Sequence, residues 1–220
     1  MKRCLDLLVS SVALLLLAPF LAAIAYRIGR DSPGPVFYRG RRSGLNGEVF
    51  RIYKFRTMVN GAERLGGPTT ADDDPRLTPV GRSLRRYKLD ELPQLFNVLL
   101  GQMSLVGPRP EVVEKTSRYS QEERRILEVR PGITDWASIW NADEGAVVAG
   151  FRDADQAYER LIRPTKIRLQ LMYRGQASLW VDLKILLYTL IKLRNKNWLP
   201  PEIARIGRPG EAACARMHAR

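Results

Sequence analysis

A chain of 220 residues with 45% apolar content is one domain, with or without appendages, and can bury a core. Its formal net charge of +13 points to an anionic partner: nucleic acid, an acidic membrane surface or a phosphorylated substrate. One histidine (His218) and two cysteines (Cys4 and Cys214), all near the ends, argue against His triads, Cys/His metal sites and a disulfide framework. Carboxylates, Lys, Arg and a hard cation are left for any chemistry.

From Leu7 to Tyr26 there are twenty residues without a charge, about 30 Å as a helix and enough to match a bilayer core. A cleaved signal would be shorter, and the cysteine-poor, basic remainder does not look secreted. A spanning helix fits the length, yet Lys2 and Arg3 precede it and Arg27 and Arg30 follow it, so both flanks ask for the cytoplasmic side. A break at Ala18-Pro19, with Ser10 or Ser11 serving the freed backbone groups, predicts a re-entrant helix that returns to the side it entered. A buried core helix is the less favoured reading, since no face is polar.

Ser32-Pro33-Gly34-Pro35 stops the helix. VFYR (36–39) and EVFRIYKFRTM (48–58), separated by Gly44-Leu45-Asn46-Gly47, predict a β-hairpin. Alternation places Val49, Arg51, Tyr53 and Phe55 on one face and Phe50, Ile52, Lys54 and Arg56 on the other. Lys54 and Arg56 are then either solvated or turned towards an anion, and spacing alone leaves both open. Residues 59–75 read as a loop, in which Asp72-Asp73-Asp74 is more in keeping with solvated or capping acids than with a metal site.

Val80–Lys88 predicts a short basic helix and Leu92–Leu100 a second, with Pro93 in its first turn. Asp90 then sits at or near the N-cap and Glu91 in the first turn. The alternative to a cap is chemical. Two adjacent carboxylates flanked by Arg85, Arg86 and Arg109 suit a phosphate and a metal ion, one acid acting as nucleophile or Mg²⁺ ligand and the other handling a proton. Glu111–Val129 predicts a charged amphipathic helix, and ITDWASIW (133–140) a short extended piece. Asp155–Tyr173 predicts a helix interrupted at Pro164. SLWVDLKILLYTLIKL (178–193) fits an interfacial helix and a core helix about equally.

The wording of these segments resembles the bacterial sugar transferases, small monotopic phosphoglycosyl transferases that start lipid-linked glycan assembly. The resemblance rests on the Pro-broken N-terminal segment, GPVFYRGRRSGLNGEVFRIYKFRTM (34–58), DPRLTPVGRSLRR (74–86), LDELPQLFNVLLGQMSLVGPRPE (89–111), VRPGIT (129–134) and LWVDLKILLYTLI (179–191). It runs to about residue 195. The resemblance implies that Asp90 is the nucleophile towards a UDP-sugar and a Mg²⁺ ligand, and that Glu91 assists the acceptor, a polyprenyl phosphate. It implies that Lys54, Arg85, Arg109 and Pro108 bind phosphate or the metal-bound carboxylate. It departs at RPGITDWASIWNADEG, where Asp135 replaces a Gly and Ala142 stands where an Arg is common, so any contact of that Arg does not carry over.

The fold expected is α+β and mostly α: a re-entrant membrane helix (1–31), then a β-hairpin and compact helical catalytic domain with amphipathic interfacial helices (32–198), and a disordered tail (199–220). The expected partners are the UDP-sugar, the polyprenyl phosphate, membrane lipids and a second copy in a homodimer, with no nucleic acid. The expected place is the bacterial inner membrane, with the catalytic domain towards the cytoplasm. A catalytically inactive basic membrane scaffold is the competing reading.

Overall fold

The computed structural model describes residues 1–67 and 69–207. Cys214, His218 and residues 208–220 of the expected tail lie outside the described residues.

Helix α1 (Lys2–Asp31) grows out of the uncharged apolar run and is uninterrupted. The break expected at Ala18-Pro19 is absent: Pro19 lies inside the helix, removing one backbone donor without ending it. Ser10 does not serve that region either, because its hydroxyl donates to the carbonyls of Asp6 and Leu7. Both ends of α1 rest on the same body. Near its start, Lys2 pairs with Asp182, Arg3 donates to the carbonyls of Val98 and Leu99, and buried Asp6 accepts from Ser104 Oγ and the Leu105 N–H. Near its end, Ile24 and Ile28 pack with Phe55 and Leu84. Between these anchors Leu8, Leu15 and Leu16 face outward, 65%, 77% and 73% exposed.

The hairpin is present as two short antiparallel ladders. Inner strands β2 (Arg41–Ser43) and β3 (Val49–Arg51) pair, and outer strands β1 (Phe37–Tyr38) and β4 (Lys54–Phe55) pair. Simple alternation fails at Phe55, which is buried rather than sharing the exposure of Val49 and Arg51. The ladder is interrupted between β3 and β4, where the Tyr53 N–H donates to Asn97 Oδ1 at 2.8 Å instead of to a strand. Asn97 also donates to the Arg51 carbonyl (2.9 Å) and to Gln102 (2.7 Å), so one buried amide fixes the break. Arg56 neither meets solvent nor faces the cleft with a free head: it holds the carbonyls of Ser32 and Pro33 behind α1.

Helix α2 (Pro79–Arg86) is capped by Thr78, whose Oγ1 accepts from the Gly81 N–H, with Pro79 in the first turn. A 3₁₀ turn, Leu89–Glu91, precedes α3 (Gln94–Leu99), and the chain enters that turn through Lys88 at φ 57. Strand β5 (Ser104–Val106) pairs in parallel with β6 (Gly132–Thr134). The single helix expected over 111–129 is broken into α4 (Val113–Thr116), α5 (Gln121–Arg124) and a 3₁₀ turn. A capping box between Ser120 and Glu123 restarts the helix after buried Tyr119.

Only the start of 133–140 is extended. Asp135 caps α6 (Trp136–Trp140), accepting from the Ser138 N–H at 2.7 Å. Short α7 (Glu144–Val148) follows, and α8 (Ala154–Leu161) and α9 (Arg163–Gln176) divide near Pro164 as expected. Helix α10 (Leu179–Arg194) turns Ile185 and Asp182 inward and Trp180, Leu183, Leu187 and Leu190 outward, so it is both a core helix and one with an exposed apolar stripe. The first part of the expected disordered tail is instead ordered: α11 (Pro201–Ala204) buries Ile203, and Trp140 Nε1 donates to the Gly207 carbonyl at 2.8 Å. The core lies where β5, β6, α6, α9 and α10 meet, around Met103, Val106, Trp136, Leu169, Tyr173 and Ile185. The architecture is α+β and mostly helical.

Asp6→Ala leaves the Leu105 N–H without its acceptor in a buried site, and should cost about 2 kcal/mol. Leu15→Ala on the outward face should cost less than about 0.5 kcal/mol. Thermal unfolding of both variants in detergent checks the difference.

Candidate functional site

A cleft of about 800 Å³ is lined by the hairpin, the 3₁₀ turn, the loop after β5 and the α6–α7 region. Lys54, Arg85, Asp90, Glu91 and Arg109 all line it. Each reaches it for a local reason. Lys54 is set by the ladder break that Asn97 fixes. Arg85 comes from the last turn of α2. Arg109 follows β5 because Gly107 and Gly132 touch backbone to backbone: a Cβ on either would run into the other segment's main chain. The motif pair SLVGPRP and RPGIT is thus one crossing of two chains. Lys88, a non-glycine residue in the left-handed region, is strain stored at the entrance to the Asp90-Glu91 turn.

The two carboxylates have opposite surroundings. Glu91 is gripped by Lys54 (Nζ to Oε1, 2.9 Å) and by a bidentate Arg109, whose Nη1 donates to Oε2 at 2.8 Å and whose Nη2 donates to Oε1. Burial alone would raise the Glu91 pKa, but Arg109 and Lys54 outweigh it and hold Glu91 well below the usual range. Burial lowers the Lys54 pKa, and Glu91 only partly restores it. Asp90 is 4% exposed, its Oδ1 is buried without a partner, and burial followed by the Glu91 charge raises its pKa. Asp90 caps nothing, since α3 starts after Pro93 with no side-chain cap. Arg85 has no carboxylate partner among the described residues and makes one long bond, 3.4 Å, to the Thr70 carbonyl.

Pro108 is not among the residues lining the cleft. It is buried, and its carbonyl accepts from the Gly132 N–H at 3.0 Å, which serves the crossing. Among the described residues no group of three or more Asp, Glu, His or Cys could hold a metal. Asp74 is taken by Arg76. In the cleft a Mg²⁺ ion would find Asp90, whose unpartnered buried oxygen suits it, and would draw its other ligands from phosphate and water.

The chain matches the family described as "Bacterial sugar transferase" over residues 1–196. It belongs to the bacterial sugar transferase family. It is 37% identical over 195 residues to the UDP-glucose:undecaprenyl-phosphate glucose-1-phosphate transferase of Escherichia coli (strain K12), covering 87% of this chain and 40% of that protein. It is 41% identical over 197 residues to the undecaprenyl-phosphate glucose phosphotransferase of Komagataeibacter xylinus, covering 86% and 35%. It is 39% identical over 195 residues to a UDP-N-acetylgalactosamine-undecaprenyl-phosphate N-acetylgalactosaminephosphotransferase of Aeromonas hydrophila, covering 86% and 42%. The chain thus spans about two fifths of the length of the curated relatives it matches.

Sequence reasoning missed Gln94, Asn141 and Lys166, which also line the cleft. Gln94 is 1% exposed with Nε2 unpartnered, and Asn141 is 7% exposed with Nδ2 unpartnered. Lys166 is buried between Glu111 (2.6 Å) and Glu144 (2.9 Å), with the Tyr158 hydroxyl at 3.1 Å. Despite burial, Glu111 and Glu144 keep its pKa well above normal, and Lys166 and Lys115 bring Glu111 down to about 2. Gln94 carried a signal, its place inside LDELPQ. Asn141 and Lys166 carried none, because nothing local marks a polar residue as buried.

The opposite surroundings of the two acids give opposite stability effects. Glu91→Gln leaves Lys54 and Arg109 without their buried partner and should cost about 3 kcal/mol. Asp90→Asn removes a buried charge with no partner and should raise the melting temperature. Thermal unfolding at neutral pH compares the two.

Proposed function

We propose that this chain transfers a sugar 1-phosphate from a UDP-sugar to a polyprenyl phosphate, releasing UMP, through an aspartyl-phosphosugar intermediate. The observation that supports it most is the division of the two carboxylates: Glu91 is saturated with cations while Asp90, beside it in the cleft, keeps a buried oxygen without a partner. The unpartnered oxygen of Asp90 is available to attack, whereas both oxygens of Glu91 are held by Lys54 and Arg109.

In the first step an Asp90 oxygen attacks the phosphorus that carries the sugar. The bond from that phosphorus to the UMP oxygen breaks, and UMP leaves as its own anion, so no strong general acid is needed, and among the described residues no histidine lines the cleft. In the second step the acceptor phosphate attacks the same phosphorus, the bond to Asp90 breaks, and the carboxylate is restored. Arg109 and Lys54 supply positive potential at the transferred phosphoryl group while they hold Glu91. Glu91 stays ionised and its charge raises the Asp90 pKa, which strengthens Asp90 as a nucleophile once it is deprotonated. Arg85, free of carboxylates, is placed to meet the departing phosphates. Bound at Asp90, Mg²⁺ would neutralise diphosphate charge.

The acceptor is a lipid, and α1 and α10 suit a membrane surface. Both ends of α1 are fastened to one body, and its outward residues are apolar, as is the outer stripe of α10. This supports a helix whose two ends stay on one side of the membrane while its apolar outer face meets the lipid, with the cleft on the cytoplasmic side where Lys2, Arg3, Arg27 and Arg30 belong.

Purified protein with Mg²⁺ should release UMP from at least one UDP-sugar, and Asp90→Asn should abolish it while remaining folded. Near-normal turnover of Asp90→Asn with polyprenyl phosphate would overturn the nucleophile assignment. Activity should rise with pH along an acid limb above the ordinary carboxylate range near 4, because the raised Asp90 pKa must be passed before the nucleophile is charged. Cys4 and a cysteine placed at Ser32 should react with a membrane-impermeant thiol reagent from the same side. Labelling from opposite sides would establish a span.

A further inference from the structure

The cleft is electrically lopsided. Arg39, Arg41 and Arg51 of the hairpin, with Arg85 of α2, line it without a carboxylate partner among the described residues. The α6–α7 wall is different: its charges pair with one another, Lys166 lying between Glu111 and Glu144. A UDP-sugar divides the same way, into a dianionic diphosphate and a neutral ring of hydroxyls. Phosphates go to the cationic side by Coulomb attraction, which leaves the neutral wall for the sugar.

Among the residues of that wall that line the cleft, one carries an unsatisfied buried group; Asp135 Oδ2 and Trp136 Nε1 are also unpartnered, but neither residue lines the cleft. Asn141 is 7% exposed, and its Oδ1 accepts from the Asp143 N–H at 3.2 Å, which fixes the orientation of the amide. Its Nδ2 has no partner. A buried donor left unpaired is costly and is normally matched by a ligand or an ordered water. Asn141 immediately precedes Ala142, inside the stretch whose wording departs from the common family pattern.

We infer that Asn141 is a specificity-determining residue that reads the sugar of the donor, its Nδ2 donating to an uncharged oxygen on the ring, either a hydroxyl or an acyl carbonyl. The inference rests on the donor assignment above. The carboxylate of Glu144, at the same wall and held by Lys166, is the adjacent acceptor for a hydroxyl proton. A site built to hydrogen-bond one substituent rejects analogues that lack it, because the buried group is then left unpaired.

The test measures kcat/KM for UMP release across a panel of UDP-sugars that includes epimers, N-acetyl and deoxy analogues, together with inhibition by UDP, which has the diphosphate and uridine but no sugar. Asn141→Ala should lower kcat/KM for the preferred donor about tenfold or more and narrow the spread across the panel, with the UDP inhibition constant moving less than about twofold. Asn141→Asp, of equal size but without the donor, should lose the same donor preference and carries the test if the alanine variant fails to fold. The analogue least affected by both variants identifies the ring oxygen that Asn141 reads. Equal losses for UDP and UDP-sugar would put Asn141 on the nucleotide and overturn the inference, as would an unchanged donor profile. Wild-type protein that releases no UMP from any donor would sink the donor assignment itself, a result separable from an active enzyme indifferent to Asn141.

Discussion

The grip of Lys54 and Arg109 on Glu91 is the interaction on which the site depends. It is a half-buried ion triple drawn from three parts of the chain: a broken strand, a strained turn and a loop. Such a cluster survives burial only when its geometry is tight, because desolvation is otherwise larger than the Coulomb gain. Much of the local structure serves that geometry. Asn97 breaks the hairpin ladder beside Lys54, which reaches Glu91 in the cleft. Gly107 and Gly132 let two main chains touch, which delivers Arg109. The left-handed Lys88 sharpens the turn so that adjacent acids do not share one environment. The result is a difference between Asp90 and Glu91 that neither residue type nor position would create alone.

The second constraint is the fastening of α1. A 30-residue helix is about 45 Å long, far more than a single docking contact needs to hold. Arg3 and Asp6 secure one end to α3 and β5, and Ile24 and Ile28 secure the other to the hairpin and α2. The two elements that shape the cleft, the hairpin and β5, are therefore also the elements that hold the apolar helix. With the outward face of α1 against lipid, as proposed, the cleft's height above that surface would be set by the same contacts that hold its own walls.

Much of this was legible in the sequence, for identifiable reasons. The hairpin, α2, the division at Pro164 and α10 follow from turn residues and periodicity, which act over a few residues. The motif block containing Asp90, Glu91 and Arg109 marks the site. What was not legible depends on distant partners. The failure of alternation at Phe55 comes from Asn97, more than forty residues away in the chain. The uninterrupted passage of α1 through Pro19 and the ordering of Pro201–Ala204 against the core are likewise decided by packing that no local window contains. Spacing left Arg56 open between solvent and an anion, and its role in holding Ser32 and Pro33 could be seen only once α1 was in place. Asp90 looked like a cap, and is known not to be one only because its oxygen is seen without a partner.

A consequence for selectivity follows from the proposed chemistry. Every UDP-sugar presents the same diphosphate, so the arginines, Lys54 and Asp90 meet an identical charge pattern whatever the sugar. Groups that act on the phosphates can set the rate, but they discriminate poorly, since they bind all donors alike in ground and transition state. Discrimination must come from uncharged contacts at the other end of the substrate, where one missing hydrogen bond leaves a buried protein group unpaired. The α6–α7 wall meets that requirement because Glu111 and Glu144 more than cancel the charge of Lys166, and so remove the positive field that would otherwise draw phosphate there. On this reading the buried Lys–Glu cluster does no chemistry. It keeps one side of a strongly cationic cleft neutral enough for a sugar, and Asn141 can then be read as selecting which one.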